Sequence, residues 1–193
     1  PAANAPIKIT DLRCAIMGGS PVIRITTSAG ISGYGQAETS KSYLKPYVLF
    51  YKKYLMDEDP TNVERCMMKI RRMGGFKPWG SAVSAIEMAL WDIAGKAAGL
   101  PVYKLLGGKV RDRVGACAVL PIKDSLDETL EGADAFHRRG FRSFTVKVGV
   151  DPAAEVELVR AVRERFPDAI LRVDANASMD YDGALALLKK LAP

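Results

Sequence analysis

The sequence predicts an N-terminal α+β domain, an antiparallel meander followed by helices, and after it an incomplete (β/α) barrel of the TIM type. Three observations predict this. Short runs of alternating apolar and polar residues occupy the chain up to Gly35, the signature of half-buried strands. Apolar stripes of helical period fill the stretch from Lys41 to Leu106. After Arg113 short apolar runs alternate with amphipathic segments. That β-α-β-α-β-α order implies a parallel sheet with right-handed crossovers.

In the first domain, Ile7-Lys8-Ile9-Thr10 and Val22-Ile23-Arg24-Ile25-Thr26-Thr27 alternate. Ser28-Ala29-Gly30 supplies a turn, and Ile31-Ser32-Gly33-Tyr34-Gly35 starts a third strand. Helix follows from about Lys41 to Leu55. Asp59-Pro60-Thr61-Asn62 then opens a helix with Val63, Cys66, Met67 and Ile70 on one face. Gly74 to Gly80 breaks the period and reads as a loop, whose Phe76, Lys77 and Trp79 suit core packing or a subunit contact. Ser81 begins a long amphipathic helix, with Val83, Ile86, Leu90 and Ile93 in one stripe and an i,i+4 pair of Asp92 and Lys96. Gly99 and Pro101 stop it, and a shorter helix from Val102 to Leu106 ends at Gly107-Gly108.

In the second domain, Gly115 to Leu120 is a continuous small-apolar run, read as a buried strand. Leu126 to Arg139 is a helix closed by Gly140. Phe144 to Val148 is a strand, Asp151-Pro152 opens a helix to about Phe166, Ala169 to Val173 is a strand, and Met179 to Leu191 a helix. No GxGxxG follows any of these strands, so dinucleotide binding is unsupported. The expected domains are residues 1–113 and 114–193. A closed barrel needs eight strands and about 250 residues, so three βα units are expected to leave a sheet edge open.

Of the 193 residues, 48% are hydrophobic and 26% charged, which supports a packed core and excludes disorder by composition. The net charge of +6 is scattered. Its densest runs, Lys69 to Arg72 and Lys109 to Arg113, lack interleaved aromatics, so no nucleic-acid partner is expected. A solvated basic surface that steers anionic substrates fits better. No run of about 18 apolar residues appears and no signal peptide precedes the first strand, so a cytoplasmic protein without a membrane partner is expected. Cys14, Cys66 and Cys117 are far apart and read as buried free thiols. His137, beside Arg138 and Arg139, reads as a surface residue.

Barrel active sites lie at the carboxyl ends of the strands. Lys147 stands there in Phe144-Thr145-Val146-Lys147-Val148-Gly149, and Asp174 in Leu171-Arg172-Val173-Asp174-Ala175-Asn176. Alternation puts Thr145 with Lys147 on one face, and Arg172, Asp174 and Asn176 together on one face. A lysine in a barrel mouth is costly unless it is paired or its pKa is lowered, which makes it a functional candidate. Spacing alone leaves two readings open: an acid/base beside a metal-binding carboxylate, or a structural Lys–Asp salt bridge across neighbouring strands.

Together these two segments resemble the second and third barrel strands of the mandelate racemase and muconate lactonizing enzyme branch of the enolase superfamily. Gly33-Tyr34-Gly35-Gln36-Ala37-Glu38 resembles the end of that family's N-terminal meander. Ser84 to Lys96 resembles its signature capping-domain helix, and Pro101 to Gly107 the stretch after it. The resemblance covers essentially the whole chain, in family order, and says little about the substrate.

The resemblance implies an α+β capping domain on a barrel, a homo-oligomer, and a lyase or isomerase that removes a proton alpha to a carboxylate through an enediolate. It implies Lys147 as the general acid/base, Asp174 as the first of three acidic Mg²⁺ ligands, and Asn176 as a polar position near substrate and metal. Thr145 stands where many relatives carry a second lysine that lowers the pKa of the first. Lys147 must then rely on burial, the metal, or an inward Arg172. Two cap loops bear on substrate choice in the family. One corresponds to the turn from Met17 to Pro21, unusually short here. The other spans about Glu38 to Tyr43, where Lys41 and Tyr43 are candidates to reach a small hydroxy acid or sugar acid, with solvent-exposed helix-start residues as the plain reading. The remaining metal ligands and the opposing base belong to later strands, so this chain alone is expected to be inactive. The rival readings are a non-catalytic fragment or oligomerisation module, and a polyanion binder motivated by charge alone.

Overall fold

The structure is a computed structural model and describes residues 6–73 and 80–192. It divides into two compact units, Pro1–Val110 and Arg111–Pro193. The loop bearing Phe76, Lys77 and Trp79 lies outside the described residues. Among the described residues, no helix is long and apolar enough to cross a membrane.

The first unit opens with an antiparallel meander of β1 (Ile9–Met17), β2 (Ser20–Thr27) and β3 (Ser32–Gln36), in that order. β1 starts later and runs further than its alternation predicts. A bulge between Ile9 and Asp11 shifts its phase, which is how Ile9 and Leu12 both face the core three residues apart. Gly18 and Gly19 make the β1–β2 turn at φ +54° and +78°. Left-handed backbone at both positions matches the twist of the strands in a two-residue hairpin. A 3₁₀ turn, Ser42–Leu44, precedes α1 (Lys45–Phe50) and α2 (Lys52–Leu55), so the single helix expected there is broken into short pieces.

Helix α3 (Val63–Met73) packs on α4 (Ser81–Ala98), and α4 packs on the sheet. The stripe Val83, Ile86, Leu90 and Ile93 of α4 is buried, as are Val63, Cys66, Met67 and Ile70 of α3. α4 approaches β3 so closely that a Cβ on Gly33 or Gly35 would overlap the Ala89 or Ala85 carbonyl oxygen. Asp92 accepts the Tyr34 amide (2.9 Å) and pairs with Lys96 (2.7 Å), which donates to the Ser32 carbonyl (2.7 Å). Leu100 donates to Gly95 and Gly99, at φ +66°, to Lys96, closing α4 in a Schellman motif before α5 (Val102–Leu105).

The second unit alternates β4 (Ala118–Leu120), α6 (Leu126–Arg138), β5 (Ser143–Lys147), α7 (Pro152–Arg165), β6 (Ile170–Asp174) and α8 (Tyr181–Leu191). The strands form a parallel sheet in the order β4-β5-β6. Each helix starts on a side-chain cap: Ser125, Asp151 with Pro152 behind it, and Asp180. Phe144 and Val146 point into the helix-covered core with Val162 and Leu187, while Ser143, Thr145 and Lys147 take the other face. β4 is shorter than the expected strand and not continuously buried, because three of its residues register with β5 and Val119 is half exposed. Cys117, just before it, is exposed rather than buried, whereas Cys14 and Cys66 are buried. His137 is half-buried rather than at the surface, its ring 4.9 Å from that of Phe166.

Candidate active site at the ends of β5 and β6

Parallel registry places Lys147 opposite Asp174. Both close their strands on the face turned away from the helices, so their side chains meet. Lys147 Nζ lies 2.6 Å from Asp174 Oδ2 and donates to Asn176 Oδ1 at 2.6 Å. The other carboxylate oxygen, Asp174 Oδ1, accepts the Asn176 amide at 2.9 Å. This Asx-type turn holds Asn176 and Ala177 in the left-handed region, at φ +49° and +59°. The hydrogen bond from Lys147, helped by the Asn176 amide, holds the Asp174 carboxyl below its ordinary value against a smaller opposing effect of burial.

Thr145 lies two residues earlier on the same face. Its hydroxyl is 3.1 Å from Cys117 Sγ. Arg172 donates to Ser143 Oγ at 2.8 Å and approaches Cys117 Sγ at 3.7 Å. These four residues form a second polar cluster toward the amino ends of the strands, so the Arg172 guanidinium is engaged away from Lys147. Burial raises the Cys117 thiol, but hydrogen bonds with Ser143, Thr145 and Arg172 outweigh it and leave the thiol below its ordinary value.

Lys41 and Tyr43 belong to the first unit. Lys41 pairs with Glu38 at 2.6 Å, which raises its ammonium pKa, and Tyr43 is exposed on the 3₁₀ turn. In the second unit a cavity of about 330 Å³ opens beside Lys147, lined in part by Ile122, Lys123, Ser125, Val150 and Glu155. No motif in the sequence marks Glu155 or Ser178: Glu155 stands four residues after the cap Asp151, one past the position of a capping-box glutamate.

The oxygens of Asp174 and Asn176 are hard donors of the kind Mg²⁺ takes alongside waters, and here they converge on the Lys147 ammonium. They fit such an ion as part of a ligand set. Among the described residues, no group of three or more His, Cys, Asp or Glu is placed to hold a metal.

Both parts of the chain match known families. Residues 10–107 match the mandelate racemase/muconate lactonizing enzyme N-terminal domain, and residues 128–193 match the enolase C-terminal domain-like family. The chain is 31% identical over 186 residues to a D-galactonate dehydratase of Pectobacterium atrosepticum, covering 89% of this chain and 48% of the relative. It is 32% identical over 168 residues to an N-succinyl-L-Arg/Lys racemase of Bacillus cereus, covering 81% and 44%. The crystal structure of the 3,6-anhydro-D-galactonate cycloisomerase from Zobellia galactanivorans superposes with a TM-score of 0.83 at 26% identity, over 95% of this chain and 55% of that one. The chain thus spans about half the length of the curated relatives it matches. With both halves matched in order over a meander-and-helix unit and a parallel βα unit, the chain belongs to the mandelate racemase/muconate lactonizing enzyme family of the enolase superfamily.

Proposed function

We propose that the whole protein abstracts a proton alpha to a carboxylate and that Lys147 carries that proton. The observation behind this reading is the convergence of Lys147, Asp174 and Asn176 at the carboxyl ends of adjacent parallel strands. An ammonium has three donor positions. Asp174 and Asn176 engage two of them, which orients Nζ and leaves one position for the substrate. Thr145 is proposed to help seat a small hydroxy acid or sugar acid.

Asp174, with Asn176 beside it, would hold Mg²⁺ as part of a larger ligand set. When bound, that ion supplies positive charge for the two negative oxygens of an enediolate. The fate of the enediolate then separates racemisation or epimerisation, acid-sugar dehydration and cycloisomerisation. The relatives' activities, a dehydratase, a racemase and a cycloisomerase, span the same three outcomes. We further propose that the whole protein is a homo-oligomer and that the 193-residue chain is inactive alone, since no three acids are grouped for a metal among the described residues.

The test is exchange of the substrate α-proton in deuterium oxide, followed by NMR with galactonate and related sugar acids. Mg²⁺-dependent exchange by the whole protein, abolished by Lys147→Ala, is the expected result. Absence of exchange across hydroxy acids, sugar acids and N-succinyl amino acids would overturn the proposal.

A further inference from the structure

Glu155 is a buried acid that the proton transfer above does not use. It sits in the first turn of α7 and is 5% exposed. Its Oε1 accepts the amides of Gly149 (2.6 Å), Val150 (2.6 Å) and Asp151 (3.0 Å). A glutamate that reaches back to the cap amide is a usual helix-start device. Capture of the two amides before the cap goes beyond it. Its Oε2 is buried with no hydrogen-bond partner among the described residues. The position of the carboxylate is therefore set through one oxygen and three backbone amides, and an unpaired buried oxygen is costly enough to need a reason.

The reason lies in what the captured loop touches. Val148 donates its amide to the Asp174 carbonyl at 3.1 Å. The four amides that follow Lys147 are thus all engaged, the first by the neighbouring strand and the next three by Glu155. Gly149, at φ +114°, backs onto the β6–α8 turn, and a Cβ there would overlap Ser178 Oγ. Ser178 Oγ donates to the Gly149 carbonyl at 3.4 Å, and the Ser178 amide donates to Ala175 at 3.0 Å. Between Ala175 and Ser178 lie Asn176 and Ala177, both left-handed. For Ala177 that conformation is strained, so it persists only where neighbours enforce it. Asn176 is one of the two acceptors on Lys147.

We propose that Glu155 is a positioning residue for Lys147: by fixing the amides of Gly149 to Asp151 it holds Gly149 against Ser178, and so keeps the Asn176 side chain on the lysine ammonium. The mechanical link stands on this geometry. Its catalytic consequence rests on the reading of Lys147 as proton carrier.

Amide hydrogen exchange by NMR tests the link, with Glu155→Ala and Glu155→Gln against the parent. In Glu155→Ala the amides of residues 149–151 should exchange about 10-fold faster or more, and those of Asn176 and Ser178 should accelerate with them. Glu155→Gln keeps an acceptor oxygen and should restore most of the protection at both places. In the whole protein, Glu155→Ala should lower kcat for α-proton exchange by about 10-fold to 100-fold with KM nearly unchanged, and Glu155→Gln should recover most of the loss. Faster exchange confined to 149–151, with Asn176 and Ser178 unaffected, overturns the proposal.

If Glu155→Ala does not fold, Gly149→Ala tests the same link from the other side. Its new Cβ should accelerate exchange at Asn176, and Ser178→Gly added to it should reverse part of that effect. An unaltered Asn176 in Gly149→Ala also overturns the link. A parent protein that exchanges no substrate proton, yet shows coupled amides, refutes the proposed function while leaving the link intact.

Discussion

Lys147 and Asp174 are paired twice, once as register partners across β5 and β6 and once through their side chains at 2.6 Å. The backbone pairing fixes which two side chains meet, and the side-chain contact sets the electrostatics of the carboxylate. Removal of the lysine therefore has a defined sign. In Lys147→Met the Asp174 carboxyl should titrate at higher pH than in the parent, because the main group holding it low is gone. Carbon-13 NMR of the aspartate carboxyls reads this directly. An unshifted Asp174 would show that the Asn176 amide, not the ion pair, governs it. In the whole protein the same substitution should cost α-proton exchange about 100-fold or more, the usual scale of a lost general acid/base.

Acid should loosen the first unit over a defined window. Lys52, and then Arg13 at 2.6 Å, hold the Asp11 carboxyl down to about 2 from an ordinary 3.8. A carboxyl depressed by folding adds stability that is complete above its unfolded value and vanishes as pH falls through its folded value. The loss therefore runs from about pH 4 down to about pH 2. As the pair is partly exposed, about 1 kcal/mol or less is at stake. Urea unfolding across this range should show a shallower pH slope in Asp11→Asn than in the parent.

Gly35→Ala should destabilise the first unit by about 2 kcal/mol or more, as overpacking against a fixed main chain does. The obstacle is the Ala85 carbonyl oxygen. Trimming that side chain with Ala85→Gly should give no rescue. Denaturant midpoints of the single and double variants check both statements, and rescue by Ala85→Gly would mean that α4 shifts to make room.

Alkylation should rank the three thiols. Burial raises the Cys14 thiol and pushes Cys66 up to about 11, while Cys117 is exposed and below its ordinary value. Iodoacetamide at neutral pH, with peptide mass analysis, should label Cys117 first. Arg172→Met should slow that labelling by withdrawing one of the groups that favour the thiolate.

Periodic features were legible in the sequence. The α4 stripe and the α3 face follow from helical spacing, and the meeting of Lys147 with Asp174 follows from strand alternation in two parallel neighbours. What escaped was set by contacts rather than by period. The bulge at Ile9 and Asp11 interrupts an alternation that looks regular. The run from Gly115 to Leu120 is apolar throughout, yet three of its residues find partners on β5. Glu155 reads as a solvent-facing helix residue until three amides from the preceding loop surround its carboxylate. Asn176 signals a left-handed turn by its residue type, whereas Ala177 gives no such sign, because its conformation is imposed from outside.

Asn176 answers to two masters. Asparagine, aspartate and glycine are the residues that enter its left-handed backbone region at modest cost. Glycine would leave Lys147 one acceptor short, and aspartate would set a second negative charge beside Asp174. Few residues at position 176 would therefore keep both the backbone turn and the contact on Lys147. Its neighbour Ala177 is equally left-handed but has no side-chain duty toward Lys147, so glycine there would relieve strain and leave the Lys147 contacts in place.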